Sequence, residues 1–63
     1  MNKIKHFRKQ ANMTLREISE KANVVISYIS TLENDNNGST NPSKDVMEKI
    51  AQALNSTVPK IFY

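Results

Sequence analysis

The stretch "ANVVISYISTLEN", residues 22–34, decides how the chain is read. It is too polar for a core strand and too apolar for a linker. Val24, Ile29 and Leu32 want a core, while Ser27, Ser30 and Thr31 lie between them. Taken as a helix, residues 25–34 bring Val25, Ile29 and Leu32 to the inner side. Ser27, Thr31 and Asn34 then point outward, with Ser30 beside them. Short hydroxyl and amide side chains on an exposed helix face can bond phosphates or base edges in a groove.

Just upstream, "LREISEKA" puts Leu15, Ile18 and Ala22 on one face, and Thr14 is placed to cap that helix. Asn23 follows, and asparagine tolerates a left-handed helix end. Two short helices crossing steeply about such a turn form a helix–turn–helix. Where they cross, the backbones come close and a small residue is needed; Ser19 is there. Ile18, Ala22, Val24, Ile29 and Leu32 close the inner face. The alternative is an ordinary helical hairpin with a solvated face, and the Ser19–Asn23 register weighs against it.

Further out, "IKHFRKQA" carries Ile4, Phe7 and Ala11 as one helical stripe, interrupted by "NMT". "DNNGSTN", residues 35–41, is a loop on composition. Pro42 suits a helix start. "DVMEKIAQAL" holds the cleanest stripe, with Val46, Met47, Ile50, Ala51 and Leu54. Asn55 can end it, and Thr57 can cap a last turn reaching Phe62. No stretch alternates with period two for long enough to make a strand, and there is no internal repeat. The expectation is a single all-α domain over residues 1–63, with four helices and a short fifth. The third helix should run from Val25 or Ile26 to Asn34.

Composition narrows the function. A chain of 63 residues allows one small domain, and with no cysteine it has no disulfide framework and no cysteine-ligated zinc. His6 is the only histidine, so a multi-histidine metal site is excluded. No apolar run approaches a membrane span, and the basic start "MNKIKHFRKQ" lacks a signal-peptide apolar region. A cytoplasmic protein is expected, with no cofactor and no membrane partner. Net charge of +3 and a pI near 9.5 permit nucleic acid without demanding it. There is no catalytic Ser/His/Asp set and no glycine-rich phosphate loop. Asp35 to Gly38 look faintly like an EF-hand loop, but the spaced carboxylates and terminal Glu are missing. Lys44 stands beside a helix start where a phosphate could bind, or is an ordinary surface lysine. Tyr28 either reaches a sugar or a thymine methyl, or packs against the second helix.

Two charges stand out. Arg8 falls on the stripe of Ile4, Phe7 and Ala11, so it points toward the core and needs a partner. Glu33, at the inner edge of the third helix, is the candidate. The alternative is that Arg8 snorkels to solvent and Glu33 lies at the surface.

From Ile4 to Phe62, "MTLREISEKANVVISYISTLEN", then "NPS", then "MEKIAQALN", the chain resembles the phage-repressor-like (Cro/C1-type) helix–turn–helix regulators. "LREISEKANVVISYISTLE" is most similar to the DNA-binding half of SinR-type repressors. The resemblance implies a compact lambda-repressor-like domain, with a helix–turn–helix at residues 15–34. It also implies that the third helix enters a major groove and that the start of the second grips a phosphate. It pairs Arg8 with Glu33 as well. Taken with the reading of the residues, the expected DNA contacts are Thr14, Leu15, Ile26, Ser27, Tyr28, Ser30, Thr31, Asn34 and Lys44.

The chain departs from the pattern in several places. Asn12, Asn23 and Asn55 stand where glycine is common. Leu15 replaces a frequent glutamine and offers only its backbone N–H. Val25 and Ile26 replace a serine cap and a long donor. The segment from Glu33 to Pro42 is longer than is common. The expected function is sequence-specific double-stranded DNA binding by a transcriptional repressor. A protein-interaction module, such as an antitoxin or adaptor, is the alternative, and an enzyme is a distant third. Specific affinity asks for two half-sites on a two-fold operator, hence a homodimer at least on DNA. The apolar "VPKIFY", with the adjoining end of the fourth helix, is the expected dimer contact; the alternative is that Ile61 and Phe62 plug the bottom of the core. A protein antagonist is conceivable but carries no sequence mark.

Overall fold

The computed structural model describes residues 2–35 and 40–63. The central part of the loop expected over 35–41 lies outside them, as does most of the EF-hand-like stretch. Five helices follow in order: α1 (Ile4–Gln10), α2 (Leu15–Ala22), α3 (Ile26–Glu33), α4 (Lys44–Ala53) and α5 (Val58–Phe62). No strand occurs among the described residues.

Three of the helices, α1, α2 and α4, stop for a local reason. Asn12, Asn23 and Asn55 have φ of 57°, 56° and 57°, the left-handed region that would cost another non-glycine residue about 1–2 kcal/mol. Each stands at a helix end, so asparagine does there what glycine does elsewhere. Thr14 and Glu17 form a reciprocal capping box. The Thr14 hydroxyl accepts from the Glu17 N–H at 3.1 Å, and the Glu17 carboxylate accepts from the Thr14 N–H at 2.8 Å. Ser43 caps α4, its Oγ accepting from the Val46 N–H at 3.2 Å. Pro42 therefore lies outside the helix it was expected to start. A serine oxygen satisfies a first-turn N–H, and a proline ring cannot. Thr57 caps α5.

The core is Ile4, Ile18, Ala22, Ile29, Leu32, Ile50, Ala51, Leu54 and Ile61, drawn from all five helices and the residue that closes α4. Helix α2 packs on α3 and α4, α4 on α5, and α1 on α3 and α5. Ala11 was expected on the inner stripe but is exposed. It is the C-cap of α1, past the last helical residue, so helical phase no longer aims it.

Asn2 supplies a tie that sequence reading missed. Its Oδ1 accepts from the Ile4 N–H at 3.0 Å, and its Nδ2 donates to the Leu32 carbonyl at 2.9 Å. One side chain thus serves the open start of α1 and the last turn of α3. Nearby, the Lys3 N–H donates to the Ile61 carbonyl at 2.8 Å, joining the α1 and α5 ends.

Candidate nucleic-acid interface

Helix α3 is held from three sides. Ile29 and Leu32 are fully buried in the core. At its start, the Ser19 hydroxyl donates to the Val24 carbonyl at 2.6 Å, and the Val24 N–H donates to the Ser19 carbonyl at 3.1 Å. Ser19 therefore locks the turn as well as leaving room for the crossing; the hydroxyl's part was not read from sequence. At its end, Arg8 grips Glu33 with a fork. Nε donates to Oε2 at 2.6 Å and Nη2 to Oε1 at 3.2 Å. Nη1 turns to the Met13 carbonyl at 2.8 Å. The two side chains are only 12% and 3% exposed, so the pair is largely shielded from water. The hydrogen bond to Glu33 raises the Arg8 pKa further above its ordinary value, with burial opposing and the Glu33 charge assisting.

Ser27, Thr31 and Asn34 are exposed on the outer side of α3, and Ser30 is half-buried beside them. Their polar groups are not all idle. Thr31 Oγ1 donates to the Ser27 carbonyl at 2.9 Å, and Asn34 Nδ2 donates to the Ser30 carbonyl at 2.9 Å. Thr31 still offers its hydroxyl lone pairs, and Asn34 its amide oxygen and second amide N–H. Tyr28 is half-buried and packs against the core, so only part of it faces outward.

Val25 corrects an expectation. It was placed on the inner side of α3 and is 67% exposed. It is the N-cap residue, with φ −56° and ψ 133°, so it precedes the helix whose phase was used to aim it. It makes no side-chain cap bond, and Ile26 beside it is 41% exposed.

The other expected contact residues sit at helix starts. Thr14 is exposed, with its hydroxyl engaged in the capping box. Leu15 is half-buried against the core, leaving its backbone N–H as the group that could meet a phosphate. Lys44 is the exposed first residue of α4. Among the described residues, no group of three metal-ligating side chains comes together, and no helix is long and apolar enough to cross a membrane.

A helix-turn-helix family model matches residues 4–61. The HTH-type transcriptional regulator SinR of Bacillus subtilis (strain 168) is 41% identical over 56 residues, covering 89% of this chain and 49% of SinR. SinR of Bacillus licheniformis matches with the same identity and coverage. The chain thus spans about half the length of these relatives. A crystal structure of SinR, the master regulator for biofilm formation, in complex with DNA superposes with a TM-score of 0.80 at 40% identity, covering 90% of this chain and 87% of that one. The solution structure of the N-terminal DNA-binding domain of SinR from Bacillus subtilis gives 0.77 at 38% identity, covering 92% and 81%.

Proposed function

The chain belongs to the helix-turn-helix family, and on that premise we propose that it is a sequence-specific double-stranded DNA-binding transcriptional regulator. It acts as a repressor in the cytoplasm, without a catalytic step. Helix α3 enters the major groove. Its eight residues make a rod of about 12 Å, close to the groove's width. Ser27, Thr31, Asn34 and, at the margin, Ser30 and Tyr28 face the base edges. The Leu15 N–H at the start of α2, with Thr14 beside it, and Lys44 at the start of α4 hold phosphates.

The observation that carries this reading is the row of short polar side chains exposed on α3. The helix bearing it is fixed at both ends by Ser19 and by Arg8–Glu33. A solvated face with no ligand would not need such fixing. The partner is a two-fold operator bound by two copies of the chain, each filling one half-site.

Selection of bound sequences from a random duplex pool tests it. A defined consensus should emerge, and its affinity should fall steeply with salt as counterions are released. The competing role, a protein-docking module, draws support from the exposed Val25 and Ile26. It predicts no duplex retention even at low salt.

A further inference from the structure

We propose that Val25 and Ile26 are an apolar reading pair that contacts the C5-methyl groups of thymines in the major groove. The inference rests on the DNA-reading role proposed above and names what that surface selects. With Tyr63, these are the exposed large hydrophobic side chains among the described residues, and they are consecutive. They stand at the start of α3, immediately before exposed Ser27. In helix–turn–helix docking, the first residues of the second helix meet the base edges.

Neither side chain has a complete structural task. Val25 occupies the cap position, where a serine, aspartate or asparagine would satisfy an open N–H, and it caps nothing. Nor is it packed in the core. The rest of α3, "ISYISTLE", contains no arginine, lysine, glutamine or asparagine. The bidentate side chains that read guanine and adenine are therefore missing from the helix. Asn34 comes only after its last turn, with one amide N–H held by the Ser30 carbonyl, at the end of the helix opposite Val25 and Ile26. The base-edge feature that branched aliphatic carbons complement is the methyl group of thymine. A phosphate or a solvated groove floor would leave both side chains exposed without compensation.

The test uses the whole chain and a duplex from the selection above. Each thymine is replaced singly by deoxyuridine, which removes the methyl and leaves base pairing intact. Two positions in each half-site should lose about three- to fivefold in affinity, the effect of one buried methyl-sized group. The double variant Val25→Ala, Ile26→Ala should bind the thymine and deoxyuridine duplexes equally. Both duplexes are titrated with the same protein sample, so any change in folded fraction cancels in the ratio. Equal binding of the two duplexes by the unaltered chain overturns the proposal. So does a thymine preference that survives in the double variant. In both cases duplex binding itself stands. If no duplex is retained at low salt, the regulator reading fails with it, and a protein partner covers the apolar pair.

Discussion

At the scale of single residues, Arg8 has the largest expected effect. Its guanidinium serves three acceptors on two segments, and an ammonium could not span them. Arg8→Ala leaves the Glu33 carboxylate shielded and alone, at a cost of about 3–5 kcal/mol. A chemical denaturation curve should show that variant largely unfolded, with Arg8→Lys between it and the parent. Because its pKa is raised in the folded state, Arg8 contributes its full stabilisation below the unfolded value and loses it only as pH climbs through the higher folded one. From the arginine side, the pair is therefore constant across neutral pH. Asn23 makes a second case. With φ at 56°, Asn23→Ala should cost about 1–2 kcal/mol, while Asn23→Gly should fold at least as well. Thermal melts of the two variants separate them. Thr31→Ala should change which operators bind best. Lys44→Ala should weaken all operators alike and lower the salt slope by about one unit. Quantitative selection at two salt concentrations checks both.

At the scale of elements, α2 and α3 are built unequally. Helix α2 has a full capping box and a left-handed stop. Helix α3 has no side-chain bond at its N-cap, no acid in its first turn and no base in its last. It stands because Ile29 and Leu32 are buried and because Ser19, Asn2 and Arg8 hold its ends. Val25→Ser should thus stabilise the fold by about 1 kcal/mol and at the same time weaken the preference for thymine over deoxyuridine. A melt and a competition titration on one sample test the two halves. This inequality also marks what could be read in advance. Helix number and order followed from apolar spacing, and the stops of α2 and α4 from Asn23 and Asn55, whose backbone preference is strong. Val25 and Ala11 were misplaced because each lies at a helix boundary, where periodicity no longer aims a side chain. The bridge from Asn2 to Leu32 spans 30 positions, and no local pattern announces it. The outward row on α3 was legible from its spacing. That its hydroxyl and amide donors are partly taken up by the helix's own carbonyls was not.

At the scale of the whole molecule, assembly is the open axis. Ile61 is buried, Phe62 half-buried and Tyr63 84% exposed. Removing residues 61–63 would therefore strike the core before any interface. Tyr63→Ala isolates the exposed part. If the end of the fold joins two copies on an operator, this variant should melt like the parent but lose cooperative filling of paired half-sites. Sedimentation of the protein with one and with two half-sites reads the difference.

The bond from Lys3 to Ile61 gives the molecule a clock. Ile4 and Ile61 share one core, so α1 has no complete surface to settle on until residue 61 has left the ribosome. At about 5–20 residues per second, synthesis leaves α3 without its finished support for a time on the order of seconds. Short helices with mostly local contacts then close in well under a second. Translation, rather than folding, therefore sets the moment at which a new copy completes its core.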